Sequence, residues 1–394
     1  MLDKIALIQQ ILSESSIDGW LIYDFHKRNA LAMDFLEIPH SLFLTRRFFY
    51  WIPQKGAPIK IVNAIESHVL DFLPGEKVTY FTWKTWEEQL KKVLEGKRRI
   101  AMEYSPQNRI PSISLVDGGT LELVLQFVPE VVSSGDFIQQ FTCVLTPPQR
   151  KSHLEAAFVL EEVVDRAWDF LSGCLKRKEK VTEFDVQQKM ESDMKKRGCS
   201  FEGNPICAIN QNSSNPHYIP EKKTSLEIKQ GDFVLLDLWC KKNEVFSVYA
   251  DICRVAVADF SPTPRQELIF GIVREAQKKA TEFIRNRCLR GEEIRGWEVD
   301  QEARQVIEQA GFGPYFIHRT GHNIYTQDHG PGTHMDSLET FDDRKVLFET
   351  CFSIEPGIYL PKEFGVRLEY DLFITKQGDL EVSGGEQTEI KVLF

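Results

Sequence analysis

Two pairs of acidic residues in the C-terminal half of the chain share one spacing. Asp237 and Asp251 are 14 positions apart, as are Glu355 and Glu369, and the second pair follows the first by 118 positions. Both pairs lie in apolar, β-branched sequence. A carboxylate in such a strand is strongly unfavourable unless a cation or hydrogen bonds compensate it. The spacing therefore indicates a metal site.

Histidines between the two pairs strengthen this interpretation. The segment HRTGHNIYTQDHGPG contains His318, His322 and His329. Carboxylates with one imidazole favour manganese, iron, cobalt or zinc over calcium. Four carboxylates exceed the needs of one structural zinc, whereas two bridged ions would use them all and would generate hydroxide near neutral pH. Two further acids, Asp232 and Asp371, are expected on solvent-facing strand surfaces.

The elements around each pair also occur twice. Each acidic pair lies in a predicted hairpin, GDFVLLDLW with VFSVYADICRVAV, and CFSIEPGIYL with GVRLEYDLFIT. Two predicted helices precede each hairpin. In the first helix, Leu154, Ala157, Leu160 and three later apolar residues form one stripe. Thr182 is a candidate N-cap for the second helix. The pattern predicts an internally duplicated α+β domain.

The first 140 or so residues predict a separate mixed α/β domain. A helix over 3–14 leads into the strand GWLIYD, and further strands and helices alternate after it. Pro147 and Pro148 then interrupt the chain before a long helix. We therefore predict an N-terminal domain at 1–146 and a catalytic domain at 147–394.

Bulk properties exclude several classes of function. The chain has 394 residues, which favours two domains, and a net charge of −10, which argues against a nucleic-acid partner. No apolar run is long enough to span a membrane, and the N-terminus lacks a signal-peptide core. The eight cysteines form no CxxC pair. These features predict reduced thiols and a cytoplasmic location.

The ordered motifs NPHY, GDFVLLDLW, YADICR, RTGHNI, SIEPGIY and GVRLE resemble the pita-bread metallopeptidase family. That family includes Xaa-Pro dipeptidase (prolidase), aminopeptidase P, methionine aminopeptidase and creatinase. The likeness covers roughly 150–394, and the preceding region resembles the N-terminal domain of the prolidase, aminopeptidase P and creatinase branch. It implies an α+β fold in which a duplicated pita-bread domain follows a creatinase-type α/β domain.

The resemblance also implies residue roles. The chain would be a dinuclear metallo-exopeptidase that hydrolyses the Xaa-Pro bond at the N-terminus of a dipeptide or short peptide through a bridging hydroxide. Two divalent ions would be needed, manganese first, with cobalt, zinc or iron as alternatives, and a homodimer is expected. Glu355 would act as general base as well as ligand. The implied metal ligands are Asp237, Asp251, His322, Glu355 and Glu369. The implied catalytic or substrate-binding residues are His217, His318, His329 and Arg367.

Departures from the family pattern leave alternatives open. Trp239 occupies a place often held by glycine, Asn323 and Tyr325 replace small residues, and Gly330 stands where an acid is common. No ligand is lost, so these changes bear on specificity. The alternatives are a creatinase-like C–N hydrolase, a metal-dependent lyase on the same fold, and a non-catalytic binding module.

Overall fold

The computed structural model describes residues 1–39 and 41–394, which form two compact units. The first unit is Met1–Thr142 and the second is Cys143–Phe394. The assignment of functional domains at 1–146 and 147–394 remains a prediction. None of the described helices combines the length and the apolar character needed to cross a membrane.

The first unit alternates helices and strands, as the sequence predicts. Strands β1 and β2 are buried along their whole length, which is typical of sheets covered on both faces. The elements are α1 (Leu2–Glu14), β1 (Gly19–Asp24), α2 (Ala30–Phe35), β2 (Phe48–Pro53), β3 (Ile59–Asn63), β4 (Glu76–Tyr80), α3 (Trp83–Leu94), β5 (Arg99–Met102), α4 (Gly118–Leu125), β6 (Glu130–Ser133) and α5 (Gly135–Thr142).

These strands form one six-stranded sheet in the order β4-β3-β2-β1-β5-β6. Strand β1 runs parallel to β5, β5 parallel to β6, and β3 parallel to β4, while β2 is antiparallel to both its neighbours. The carboxyl ends of every strand except β2 therefore lie at one edge of the sheet.

A buried carboxyl group connects the elements of the first unit. Glu103 is fully buried and accepts hydrogen bonds from Trp20 Nε1 at 2.6 Å, Asn29 Nδ2 at 2.8 Å and Ser134 Oγ at 3.3 Å. Burial raises the pKa of Glu103 to about 7 despite these three donors. The folded protein thus holds a proton that the unfolded chain releases near the ordinary glutamate pKa.

We expect this proton to make stability depend on pH. The folded pKa lies above the unfolded one, so the stabilisation is present at low pH and is lost as pH rises towards 7. Glu103→Gln removes this titrating group. The difference in the free energy of unfolding between the variant and the parent should therefore change by about 3 kcal/mol between mildly acidic and mildly alkaline pH. Urea unfolding of the full chain measures it. Glu122→Gln, at an exposed position, is the matched control; equal pH slopes for both variants would contradict the prediction.

The second unit begins with the long helix α6. Its remaining elements are α7, strands β7 to β10, helices α8 and α9, and strands β11 to β17. Their bounds are α6 (Pro147–Arg177), α7 (Glu183–Lys196), β7 (Cys199–Ser200), β8 (Ile206–Ile209), β9 (Phe233–Lys242), β10 (Ala250–Val257), α8 (Pro264–Arg290), α9 (Gly296–Gln309), β11 (Asn323–Ile324), β12 (Cys351–Ile354), β13 (Gly357–Tyr359), β14 (Gly365–Arg367), β15 (Tyr370–Ile374), β16 (Leu380–Ser383) and β17 (Lys391–Val392).

Local sequence explains where these helices begin. Thr182 caps α7 and exchanges hydrogen bonds with Asp185, as predicted, and Thr263 caps α8 in the same way with Gln266. The predicted apolar stripe of α6 is buried except for one residue. Leu154 is 45% exposed, so its inclusion in the stripe was wrong.

The duplicated order of two helices and a hairpin is present. Helices α6 and α7 precede the antiparallel pair β9–β10, and α8 and α9 precede the pairs β12–β15 and β13–β14. The second hairpin differs from the prediction because it is interrupted. Ile354 pairs with Tyr370 and Gly357 with Arg367, and the residues between them leave the regular ladder.

Candidate metal centre

The first acidic pair lies on one face of the β9–β10 hairpin. Asp237 is opposite Cys253, and Asp251 is opposite Trp239. Because residues two apart along a strand share a face, the two carboxylates are diagonal neighbours. Both are buried, with 5% exposure.

The second pair lies at the interruption of the other hairpin. The register on both sides of the break places Glu355 opposite Glu369. Two backbone hydrogen bonds hold them there. Glu355 N donates to Thr320 O at 2.7 Å, and Glu369 N donates to Cys253 O at 3.3 Å. The break thus leaves both glutamate side chains beside the first hairpin.

Arg254 connects the backbones of the two hairpins. An isolated bridge pairs Cys253 with Glu369, and the Arg254 guanidinium donates to the carbonyl oxygens of both residues. Its other Nη donates to the carbonyl oxygens of Gly384 and Gly385. One side chain therefore fixes the backbone of Glu369 against the strand that carries Asp251.

His322 completes a cluster with the acids. Its Nδ1 lies 3.1 Å from Asp328 O, so this nitrogen carries the hydrogen. The unprotonated Nε2 lies 3.4 Å from Glu355 Oε1 and 3.8 Å from Asp251 Oδ2. Asp251, His322 and Glu369 each offer one ligand atom within 4.8 Å of the others. Imidazole Nε2 with carboxylate oxygens is a donor set for a divalent transition metal.

The carboxylates show that a cation fits this site. Asp251 Oδ1 and Glu369 Oε1 are buried and have no hydrogen-bond partner among the described residues. Burial and the neighbouring acids raise the pKa of Asp251 and of Glu369 well above the usual range. Burial likewise lowers the pKa of His322 well below its ordinary value, which leaves the imidazole neutral and able to act as a ligand.

Asp237 is placed differently from the other predicted ligands. Its Oδ2 forms an ion pair with Arg367 Nη2, and both side chains are buried. Burial raises the pKa of Asp237, although the Arg367 charge opposes the shift. Arg367 thus faces the acids, as its position two residues before Glu369 predicts. The role of Asp237 as a metal ligand remains a prediction.

His318 is hydrogen-bonded on both ring nitrogens. Its Nδ1 donates to Arg319 O at 2.7 Å, and its Nε2 accepts from Tyr359 OH at 2.7 Å. Tyr359 OH in turn accepts from Arg367 Nη1 at 3.1 Å. Partial burial and the charge of Arg367 lower the pKa of His318 to about 3. His318 therefore positions the Tyr359–Arg367 chain in this structure, and its predicted contact with substrate is not tested.

The other two predicted substrate histidines are exposed. The His329 ring centroid lies 4.1 Å from that of His322, and its Nδ1 is 3.1 Å from Arg319 Nη2. His217 lies in an exposed turn, where its backbone N donates to Asn215 Oδ1 at 3.1 Å. Both are accessible to a ligand, and their roles remain predictions.

Two acids near the centre were missed or misplaced by sequence reasoning. Asp371 was expected to face solvent, but it is fully buried and accepts a hydrogen bond from Asp251 N at 2.8 Å. Its position two residues after Glu369 was the available signal, because alternate residues share a strand face. Asp328 groups with His322 and His329, and burial raises its pKa to about 8. The available signal for Asp328 was its position next to His329 in the sequence. Asp232, the other acid that was expected to face solvent, is partly buried and accepts a hydrogen bond from Asn210.

Three of the four departures from the family pattern, Asn323, Tyr325 and Gly330, lie against one another. Asn323 is buried; its Nδ2 donates to Cys351 O and its Oδ1 accepts from Gly332 N, each at 2.9 Å. A Cβ at Gly330 would lie 2.3 Å from Asn323 Oδ1. A side chain at 330 would therefore displace Asn323 or Tyr325. Trp239 donates from Nε1 to Glu202 O at 2.6 Å.

A duplicated α+β domain with a buried carboxylate–imidazole cluster defines a class of proteins that hold divalent metal between twin hairpins. Residues 151–376, more than half of the chain, match metallopeptidase family M24. The chain belongs to that family. The predicted fold, in which an N-terminal α/β domain is followed in sequence by a pita-bread domain, is confirmed.

One curated relative is similar in sequence, and two solved structures are similar in fold. The Xaa-Pro dipeptidase of Pyrococcus furiosus is 31% identical over 252 residues, which cover 64% of this chain and 66% of that enzyme. The dipeptidase PepE structure from Mycobacterium ulcerans superposes with a TM-score of 0.68 at 19% identity, over 100% of this chain and 97% of its own. A prolidase structure from Thermococcus sibiricus gives 0.61 at 23%, over 99% and 98%.

The contacts of Arg254 predict that it positions the candidate metal ligands. Lysine keeps the charge but lacks the planar fork that reaches carbonyl oxygens on two sides. We expect Arg254→Lys to weaken metal binding about tenfold, as loss of an outer-shell contact does. Titration calorimetry with manganese measures this. Arg274→Lys, whose parent arginine contacts only Thr388 O in the described hydrogen bonds, is the control. Unchanged affinity in Arg254→Lys would show that the guanidinium is not needed for positioning.

Proposed function

We propose that the protein is a metal-dependent peptidase that hydrolyses the Xaa-Pro bond at the N-terminus of dipeptides or short peptides. The observation that carries the proposal is the cluster that Asp251 and Glu369, one from each duplicated hairpin, form with His322 in an M24 chain. Relatives named as Xaa-Pro dipeptidases support the substrate class. The creatinase-like, lyase and non-catalytic alternatives are not favoured.

Two divalent ions would be held by Asp237, Asp251, His322, Glu355 and Glu369, with manganese as the first candidate and cobalt, zinc or iron as alternatives. Bound there, they would lower the pKa of water and polarise the carbonyl to be cleaved. The unpaired oxygens of Asp251 and Glu369 support cation binding at this place.

Glu355 is suited to hold the proton that the reaction releases. Burial raises its pKa to about 7, and its Oε1 accepts a hydrogen bond from Ser353 Oγ at 3.2 Å. The exposed His329 and His217 would contact the substrate carbonyl or its leaving nitrogen. Arg367, paired with Asp237, and His318, joined to it through Tyr359, would orient that side of the pocket.

A length series of peptides tests the proposal. Purified protein, with manganese or cobalt and with a chelator as the control, is incubated with Xaa-Pro dipeptides and Xaa-Pro-Yaa tripeptides. We expect metal-dependent cleavage of the dipeptides. Preference for tripeptides would identify an aminopeptidase P instead. No metal-dependent release from either series would refute the peptidase proposal.

Homodimerisation and a cytoplasmic location are part of the proposal. The homodimer is expected from the family resemblance, and the cytoplasmic location is expected from the composition. Sedimentation equilibrium checks the oligomeric state, and cell fractionation checks the location.

A further inference from the structure

A cavity lies in the first unit, at the edge of the sheet where the parallel strands end. It has a volume of about 770 Å³, within the range of small-molecule sites. Its walls include Tyr23 at the end of β1, Asn63 at the end of β3 and Tyr80 at the end of β4. In open, mostly parallel sheets, ligands bind outside the carboxyl ends of the strands. The cavity is therefore in the position that such a sheet offers for a ligand.

Three arginines that form no ion pair with a described residue line this cavity. Arg28, Arg46 and Arg47 all contribute to its wall. In the described ranges 1–39 and 41–394, none of the three forms an ion pair. Of the two acids on the wall, Asp117 already accepts from Thr120 N at 2.9 Å and Thr120 Oγ1 at 2.8 Å. Guanidinium groups in excess over free carboxylates favour an anionic ligand.

The surroundings hold the arginines in place. The Arg47 guanidinium lies 4.0 Å above the Trp86 ring, and the Arg47 carbonyl accepts from Tyr80 OH at 2.8 Å. Arg46 Nη1 donates to Thr45 Oγ1 at 2.8 Å. A guanidinium that is already oriented loses less conformational freedom when it binds an oxyanion.

The loop that presents Arg28 is strained. His26 and Lys27 have φ values of 61° and 57°, a region that side chains other than glycine rarely adopt. Asp24 holds this loop by accepting from the backbone N of Lys27 at 2.8 Å and of Asn29 at 2.9 Å. Strain maintained by dedicated hydrogen bonds is typical of functional sites.

Aromatic surface completes the cavity. Phe81 is 75% exposed and Trp83 is 60% exposed, and both line it. Exposed aromatic side chains beside arginines that form no ion pair with a described residue match a ligand with a planar ring and an anionic group.

We propose that this cavity binds a small aromatic dianion, with the ring against Phe81 and Trp83 and the anionic group on the arginines. Phosphate monoesters that carry a planar ring, such as a nucleoside monophosphate, and aromatic dicarboxylates share this chemistry. The proposal goes beyond the peptidase activity and does not depend on it.

Binding to the full chain tests the proposal. Tryptophan fluorescence and calorimetry are recorded with adenosine monophosphate, isophthalate, adenosine and inorganic phosphate. We expect one of the two aromatic dianions to bind more tightly than adenosine or phosphate, and which of them binds identifies the source. Failure of both to bind at millimolar concentration would overturn the proposal.

Charge-removing variants locate the ligand. Arg46→Gln and Arg28→Gln should each weaken binding about tenfold, the effect of losing one charge-assisted hydrogen bond. Both positions are exposed, so the variants should fold. Arg98→Gln is the matched control, because it removes an exposed arginine that precedes β5, at the opposite edge of the sheet. Equal affinity in all three variants would place the ligand elsewhere and would refute the site.

Discussion

Asp251→Asn is expected to abolish metal-dependent activity, to lower metal affinity by about 100-fold or more, and to stabilise the metal-free protein. Asp251 Oδ1 is buried without a partner in the described part of the chain, next to Glu369, whose Oε1 is also unpaired. Without metal, burial and the neighbouring acids raise the pKa of both groups, so the folded site takes up protons that the unfolded chain releases. The amide of asparagine needs no such proton, so the advantage of Asp251→Asn in the metal-free protein should grow as the pH rises.

Metal analysis and thermal unfolding separate these effects. Metal-free Asp251→Asn should melt several degrees above the metal-free parent at mildly alkaline pH, and added manganese should no longer raise its midpoint. Glu244→Gln, in the exposed loop between β9 and β10, is the control and should behave as the parent does. Retention of full metal content and turnover by Asp251→Asn would refute its role as a ligand.

Asp300→Ala is expected to produce the largest loss of stability. Asp300 is fully buried and forms a two-point ion pair with Arg304, at 3.1 Å for each contact. Its oxygens also accept from the backbone N and hydroxyl of Thr320 and of Ser337. Arg304 donates onward to the carbonyl oxygen of His318 at 2.8 Å. Removing the carboxylate leaves a mostly buried guanidinium unpaired, which typically costs about 3–5 kcal/mol.

The same substitution should loosen the segment that carries His322. Urea unfolding measures the stability, and calorimetry with manganese measures the metal affinity, which we expect to fall as well. Gln305→Ala, at an exposed position of the same helix, is the control and should change stability by no more than about 0.5 kcal/mol. A stability loss of similar size in both variants would show that Asp300 does not organise the loop.

Much of the fold followed from local patterns. The two-residue period of the strands, the spacing of apolar residues in the helices and the threonine cap of α7 all depend on neighbours in sequence. The equal spacing of the acids indicated the duplication, because copies of one unit keep their register. The family assignment confirms the fold class and the duplication.

The features that sequence reasoning missed depend on distant parts of the chain. Whether the face of β15 that carries Asp371 is covered depends on strand β10, about 120 positions earlier, whose Asp251 N it binds. The interruption that frees Glu355 and Glu369 arises where the second hairpin meets Cys253 of the first. The partner of Asp237 is Arg367, 130 positions away. Periodicity within one strand places Arg367 and Asp371 on the same face as Glu369, but it does not show which distant residues cover that face.

The bridge between Cys253 and Glu369 joins segments that are far apart in sequence. The unfolded chain therefore contains no assembled set of ligands, since corresponding acids are separated by 118 positions. Metal held by both pairs would therefore bind only after both copies of the repeat have folded and met. Because it would bind the folded protein and not the unfolded chain, it would stabilise the contact between the two copies by mass action. Separating the two copies would then require release of the metal.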